Sequence, residues 1–402
     1  MKIQRSIVVS IVLVMQLLLE ANSLAVFDIT KYGAKPGGPD ISVALMKAWK
    51  DAMASTVASQ VLIPRGDWTL SQADMSGPNK APINLEVKGN LKAYPDLAAA
   101  KSSAWIRISK VDSLTISGGG VLDGQGQETW KRNDCGTKKA CVKPPINLFL
   151  KSITNSIIHD ITTKDSKFFH ANCVESRNVT FQRFTVSAPG DSKNTDGLHM
   201  ARSNSITVID SVIGTGDDCI SMGDGLSNII VKNITCGPGH GISIGSLGKY
   251  TYETDVKGIR VEGCTLSSTT NGIRIKTFPS SPIAITVSDI HFVGITMVNV
   301  SRPIIFDQEY CPGKPCPVAK PSQIKISDVE IEGITGTSAT SEVVTFVCSK
   351  DKPCDNIRIG AIDLKYIGKK PKPVTTRCQN IKPIFTATQN PPICSAPRPS
   401  TT

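Results

Sequence analysis

The 402-residue chain has little of several things that common functions require. Aromatic residues make up only 5 % of it and histidines number five, so neither the aromatic platforms of a nucleic-acid binder nor a histidine cluster for a metal is present. No Cys-x-x-Cys pair occurs, which weakens a zinc reading further. Helical periodicity is nearly absent; one stretch, Val43–Ala54 (VALMKAWKDAMA), spaces its apolar residues as a helix does. Beyond the first 25 residues no apolar run is long enough for a membrane helix, so no membrane partner is expected.

Residues 1–25 have the layout of a signal peptide. Lys2 and Arg5 precede an apolar core from Ile7 to Leu19, and small residues around Ala21–Ala25 supply a cleavage site. That core is about 13 residues, short of the roughly 20 that span a bilayer. The mature chain is thus expected to be soluble, secreted and monomeric, with 26–395 as one domain and 396–402 as a loose tail. The Pro-rich segment after Lys382 reads as an extended cover or a loose end.

What is plentiful fits export. Twelve cysteines suit an oxidising compartment. Short separations suggest pairing of Cys135 with Cys141, Cys311 with Cys316, Cys348 with Cys354 and Cys378 with Cys394, and Cys219 with Cys236 as a fifth pair. Cys173 and Cys264 lie in strand-like runs and are expected as buried thiols. Asn178, Asn233 and Asn299 head glycosylation sequons. The formal charge is +11, or +10 once Lys2, Arg5 and Glu20 leave with the signal, which favours a polyanionic partner. An acidic polysaccharide or an anionic cell surface fits export better than nucleic acid does.

From about residue 110 a short β-rich phrase recurs: Ser113-Leu-Thr-Ile, Asn155-Ser-Ile-Ile, Asn178-Val-Thr-Phe, Asn204-Ser-Ile-Thr, Asn228-Ile-Ile-Val, Gly258-Ile-Arg-Val, Asp289-Ile-His-Phe, Asp328-Val-Glu-Ile and Asn356-Ile-Arg-Ile. From Asn155 the steps are 23, 26, 24, 30, 31, 39 and 28 residues. Such a degenerate repeat predicts an all-β parallel β-helix of about ten coils, with the helix Val43–Ala54 near its N-terminal end. The Leu-x-x-Leu-x-Leu phrase of a leucine-rich solenoid is missing.

A second strand per coil aligns Asp196-Gly-Leu-His-Met200, Asp218-Cys-Ile-Ser-Met222, His240-Gly-Ile-Ser-Ile244 and Asn271-Gly-Ile-Arg-Ile275, at steps of 22, 22 and 31 residues. Stacking predicts one column of Asp196, Asp218 and His240, with Asp217 beside it. Leu198, Ile220, Ile242 and Ile273 should point inward, as should Met200, Met222, Ile244 and Ile275. His199, Ser221, Ser243 and Arg274 should face outward, and Lys276 shares Arg274's face. Clustered carboxylates flanked by cations suit hydrolysis of an acidic sugar polymer. One carboxylic acid protonates the leaving oxygen and another carboxylate activates water. Asp196 and Asp218 can hold one water together, Asp217 can face the glycosidic oxygen, and crowding keeps a proton in the cluster. Arg274 and Lys276 suit a substrate carboxylate.

The motifs Asn194-Thr-Asp-Gly197, Gly216-Asp-Asp-Cys219, Gly239-His-Gly241 and Arg274-Ile-Lys276 resemble, in order and spacing, those of the polygalacturonases. Phe27-Asp-Ile-Thr-Lys-Tyr-Gly-Ala34, Val61-Leu-Ile-Pro-Arg-Gly66 and Gly120-Val-Leu-Asp-Gly-Gln-Gly126 extend the likeness over roughly 26–395. Cys219-Ile-Ser-Met-Gly-Asp-Gly, Cys236-Gly-Pro-Gly-His-Gly and Asp307-Gln-Glu-Tyr-Cys311 are most similar to plant pollen-type exo-acting members. The resemblance implies a right-handed β-helix and inverting hydrolysis of α-1,4-galacturonan without metal or other cofactor. It implies Asp217 as proton donor, Asp196 and Asp218 as water activators, and His240 as support of the acid. By the same likeness Arg274, Lys276 and Tyr310 bind substrate and Asn194 holds Asp217. Leu198-His-Met-Ala201 departs from the pattern and leaves subsite preference open.

Other readings make different demands. A pectate lyase would require calcium and release an unsaturated product. A rhamnogalacturonan or xylogalacturonan hydrolase would share the architecture, and a non-catalytic wall or pollen surface protein would release no reducing sugar. Exo and endo action differ in whether loops such as Lys131–Lys143 and Cys311–Lys320 close one end of the cleft.

Overall fold

The computed structural model describes residues 24–96, 102–132, 143–312 and 320–394. Residues 1–23 of the expected leader, the tail 396–402, the pair Cys135/Cys141 and Cys316 lie outside these residues, as do parts of the two loops named above. The strands form three parallel sheets of 13, 11 and 12 members, in each of which a strand pairs with its counterparts one coil before and one coil after. This is the right-handed parallel β-helix. The sheets hold slightly more coils than the repeat reading counted. The reason lies before residue 110: strands Ser59–Ile63 and Ile83–Val87 belong to the same sheet as the repeated phrase. There Ile83 pairs with Leu114, which sets Pro82 where the phrase has Ser113.

The polar head of the phrase has a backbone cause. Ser113, Asn155, Asn178, Ser205, Asn228, Gly258, Asp289, Asp328 and Asn356 all have φ between +49° and +69°. Asn, Asp and Gly tolerate that left-handed conformation best. Strand register puts these residues in one row. Their side chains bond along it: Asn178 Nδ2 donates to Asn155 Oδ1 at 2.9 Å, and Asn356 Nδ2 to Asp328 Oδ1 at 2.7 Å. The alignment on Asn204 is one residue early. Arg177 pairs with Asn204, so Ser205 occupies the row.

Inside, the expected apolar columns form. Leu198, Ile220, Ile242 and Ile273 are fully buried in register, as are Met200, Met222, Ile244 and Ile275. Each such side chain is worth about 1.5–3 kcal/mol of burial, so repetition over many coils supplies the core. The helix spans Ser42–Ala54, one residue longer than expected, and buries Ala44, Leu45, Ala48, Trp49, Ala52 and Met53, a face repeating every four residues. A second helix, Gln127–Arg132, was not expected; it is a single short turn-and-a-half with weak periodicity.

Cys219–Cys236, Cys348–Cys354 and Cys378–Cys394 are disulfides, and Cys173 and Cys264 are buried thiols. The segment after Lys382 is a cover as far as Cys394: short strands Ile384–Phe385 and Gln389–Asn390 extend two sheets, and Cys394 ties back to Cys378. Asn178, Asn233 and Asn299 are exposed, all at positive φ. The amides of Asn178 and Asn233 already donate to Asn155 and Asp210.

Candidate active site

The residues the sequence singled out for chemistry gather along the 11-stranded sheet. Arg274 and Lys276 lie within a strand, and Asp196, Asp217, Asp218 and His240 just ahead of strands. Asn194 is in the turn before Asp196, and Tyr310 lies just past the strand Ile304–Asp307. Gly197 N donates to Asp218 O and His240 N to Asp217 O, so Asp196, Asp218 and His240 occupy corresponding places in successive coils. Asp217 sits beside them. Close packing beneath the pair requires glycine at 216, where a Cβ would come within 2.0 Å of Ser192 O. Thr195, buried at the heart of this turn, accepts from Gly216 N at 3.2 Å and from Thr215 Oγ1 at 2.8 Å. The Cys219–Cys236 disulfide fastens the next residue to the neighbouring coil.

The two adjacent aspartates have opposite surroundings. Asp217 is partly open to the cleft: His240 Nδ1 lies 2.9 Å from its Oδ1, and Asn194 Nδ2 donates to Oδ2 at 3.4 Å. Asp218 is 2 % exposed at its side chain. Arg274 Nη2 reaches its Oδ1 at 2.6 Å and Lys276 Nζ its Oδ2 at 2.7 Å. Ser243 bridges this arrangement, donating to Asp218 Oδ1 at 2.9 Å and accepting from Arg274 Nε at 3.0 Å. Burial opposes ionisation of Asp218, yet Lys276 and Arg274 hold it below the usual carboxylate range.

Arg274 and Lys276, expected from sequence to meet a substrate carboxylate, are thus already engaged by Asp218. They face outward in register but are buried, because a carboxylate withdrawn from water needs cations beside it. Tyr310 stands over both, its ring centre 5.3 Å from Lys276 Nζ and 6.0 Å from the guanidinium carbon of Arg274. Phe278 meets Tyr310 edge-on at 5.6 Å.

Asp196 completes the group. Burial first, then the charges of Asp217 and Asp218, push its carboxyl well above the usual range, which favours its protonated form. Ser221 hydrogen-bonds to it, and His199 Nδ1 lies 2.8 Å from Ser221 Oγ. Burial pushes the His199 ring down to about 4, which keeps it neutral, and it leans on Phe169 with centroids 5.3 Å apart. Ser221, Ser243, Thr195 and Thr215 had no assigned role from sequence. Ser221 and Ser243 were legible as outward members of the row, but nothing in a serine's identity tells which carboxylate it serves.

Donor atoms of Asp217, Asp218 and His240 lie within 4.8 Å of one another. A cation there would have to displace Lys276 and Arg274 from Asp218 and break the Asp217–His240 contact. The donor set is already engaged and fits a metal poorly. What the arrangement offers is one buried carboxylate between two cations, a second buried carboxyl raised above the usual range, and a third, more open carboxyl beside a histidine.

Comparison with known proteins shows the family. The model of the family described as glycosyl hydrolases family 28 matches residues 54–390. A polygalacturonase of Nicotiana tabacum is 48 % identical over 371 residues, covering 92 % of either chain. An exopolygalacturonase of Oenothera organensis is 48 % identical over 357 residues, covering 89 % of this chain and 98 % of its own. Among solved structures, a hyperthermoactive exopolygalacturonase from Thermotoga maritima superimposes with a TM-score of 0.74 over 92 % of either chain at 17 % identity, a likeness of fold.

Proposed function

Because the chain belongs to glycosyl hydrolases family 28, we propose that it is an exported polygalacturonase that hydrolyses α-1,4 bonds of galacturonan and acts from a chain end. The observation that carries this reading is the split environment of the Asp-Asp pair: one carboxylate held ionised between two cations, the other open beside a histidine. Exo action follows the name of the Oenothera relative and the pollen-type motifs. Reducing ends rising from de-esterified polygalacturonate in EDTA, with little loss of viscosity, is the expected result. A rapid viscosity drop would mean endo cleavage, and no reducing ends from folded protein would mean a binding protein.

In the proposed reaction Asp217 gives its proton to the glycosidic oxygen as the C–O bond breaks and the electron pair leaves with that oxygen. A water held by Asp196 and Asp218 attacks the anomeric carbon from the other face, and its proton passes to Asp196. Asp196 must therefore be ionised and Asp217 protonated in the reacting complex, although burial favours the protonated form of Asp196. His240 supports that state by bonding Asp217 Oδ1. Arg274, Lys276 and Tyr310 would neutralise and orient the sugar carboxylate, with the two cations shared between it and Asp218.

The raised carboxyl of Asp196 favours one second reading, in which Asp196 is the acid. An aryl α-galacturonide with a good leaving group separates the two, since it needs no acid. Asp217→Asn should lose turnover of polygalacturonate by at least about a hundredfold, the usual share of a general acid, and largely recover on the activated substrate. Recovery of Asp196→Asn instead would reverse the roles. The oxygens of Asp217 and Asp218 come within 4.8 Å, closer than the about 6.5–9.5 Å usual for inverting pairs. Inversion thus rests on the water at Asp196. Proton NMR of the new reducing end, β at first release for inversion and α for retention, checks it.

A further inference from the structure

One turn of the β-helix, 365–382, carries more than half of the chain's net charge. Between Leu364 and Cys394 no acidic residue occurs, while Lys365, Lys369, Lys370, Lys372, Arg377 and Lys382 supply six positive charges against a total of +11. All six are exposed. Earlier coils balance outward lysines with an acid one coil away: Lys92 reaches Asp67 at 3.1 Å, Lys151 reaches Glu175 at 3.3 Å and Lys325 reaches Asp355 at 3.4 Å. Here Lys365 meets Asp363 only at 3.9 Å, and that carboxylate already accepts from Asn390 Nδ2 at 2.7 Å. Among the described residues no carboxylate engages Lys369, Lys370, Lys372 or Lys382. Folding gains nothing from this grouping, whose like charges repel.

The patch lies away from the candidate site. Strand Ile362–Tyr366 of the 12-stranded sheet sets Lys365 beside Thr337. Lys369, Lys370 and Lys372 occupy the connection to Thr375–Gln379, the end strand of the 11-stranded sheet. Three strand steps separate that end strand from the strand of Arg274 and Lys276, about 14 Å at ~4.8 Å per step. Arg377 faces outward in the row of Arg274 and is not counted with the patch. Lys370 and Lys372 each precede a proline, which keeps their backbone extended and lowers the cost of ordering them on a partner. Lysines on such a loop lack the apolar helical face that enters a bilayer. Closely spaced, pre-ordered cations suit instead the repeated carboxylates of an acidic polysaccharide.

We propose that Lys365, Lys369, Lys370 and Lys372, with Lys382 further round the coil, form a second holding surface for de-esterified galacturonan outside the cleft. It takes carboxylates of the same or a neighbouring polymer chain and keeps the enzyme on its substrate between cleavages. The choice of polymer rests on the polygalacturonase reading above. A trimer filling the catalytic coils has no carboxylate left for this surface.

The test compares full-length protein carrying Lys369→Gln, Lys370→Gln and Lys372→Gln together with a control that loses as many exposed lysines elsewhere, Lys31→Gln, Lys47→Gln and Lys50→Gln. Retention on immobilised polygalacturonate is measured in the Asp217→Asn background, which spares the polymer. The patch variant should bind roughly tenfold more weakly at low salt, the sum of three modest surface contacts, and the difference should close at high salt. With Asp217 restored, KM for polygalacturonate should rise several-fold, while KM and kcat for trigalacturonate and Tm follow wild type. Highly methyl-esterified pectin should not distinguish the variants, and the control should barely move. Unchanged retention, or an equal loss in the control, would reduce the patch to bulk charge and overturn the proposal. Patch-dependent retention on phosphatidylserine vesicles but not on polygalacturonate would overturn it in favour of a membrane surface. No reducing ends from either substrate would strike the polygalacturonase reading instead, and retention, which needs no turnover, would still decide the patch.

Discussion

Two rows of residues run the length of this β-helix with the same spacing and opposite sequence behaviour. On the 13-stranded sheet the left-handed row repeats one kind of residue, Asn, Asp, Ser or Gly, from Ser113 to Asn356. On the 11-stranded sheet the outward row is mixed in size and charge: Arg107, Phe149, Asn172, His199, Ser221, Ser243, Arg274. The first row answers a demand of the backbone, which is the same in each coil. The second answers the chemistry of the candidate site, which calls for different side chains in different coils. Repetition therefore marks what folds the chain, and departure from repetition marks what it does.

The comparison is most easily broken at Asp218, where the ligand-facing side also bears on stability. Asp218→Asn leaves Arg274 and Lys276 buried without their counter-charge. The expected loss is about 3–5 kcal/mol at neutral pH, read from urea unfolding, because removing one partner of a buried ion pair strands the others. Turnover should vanish with it. Wild-type stability in this variant would mean that the cations find other partners and that the site is separable from the fold.

Asp196 should behave with the opposite sign. Its carboxyl is raised in the folded protein, so its contribution is complete below the unfolded value near pH 4 and is lost as pH climbs through the raised one. Asp196→Asn mimics the protonated acid. Its Tm should match wild type below about pH 4 and exceed it increasingly as pH rises. Asp218, held low, gives the mirror image: the deficit of Asp218→Asn should be full above about pH 4 and shrink as acid protonates the wild-type carboxylate. Parallel Tm curves for the two variants would contradict both environments.

These contrasts also explain what could be read from sequence. Strand columns were legible because burial enforces period two, and the placement of Leu198, Ile220, Ile242 and Ile273 allowed no other register. The Asp196–Asp218–His240 column followed from that register. The one-residue slip at Asn204 arose because Asn204 and Ser205 both suit a left-handed position, and only pairing with Arg177 decides between them. The earliest coils escaped notice because Pro82, with its fixed φ, cannot serve as the marker. The inward pull of Arg274 and Lys276 was not legible. It depends on how deeply Asp218 sinks, and depth is a property of stacked coils rather than of spacing.

The smallest effect tests the fold-bearing row itself. Asn228 is exposed and has φ +56°, so its side chain contributes little besides tolerance of that conformation. Asn228→Ala should cost about 1–2 kcal/mol, the penalty of a Cβ at left-handed φ without a compensating polar group. Asn228→Gly should be neutral to within a few tenths, since glycine removes the strain while adding freedom to the unfolded chain. At Ser205, φ +57°, the glycine exchange should be favourable, because serine tolerates the conformation less well than asparagine. Neither change touches the outward row, so kcat/KM should follow wild type in all three. A loss of activity without loss of stability at Asn228 would mean that the two rows are mechanically coupled through the coil, and that the separation of folding from function along this helix is incomplete.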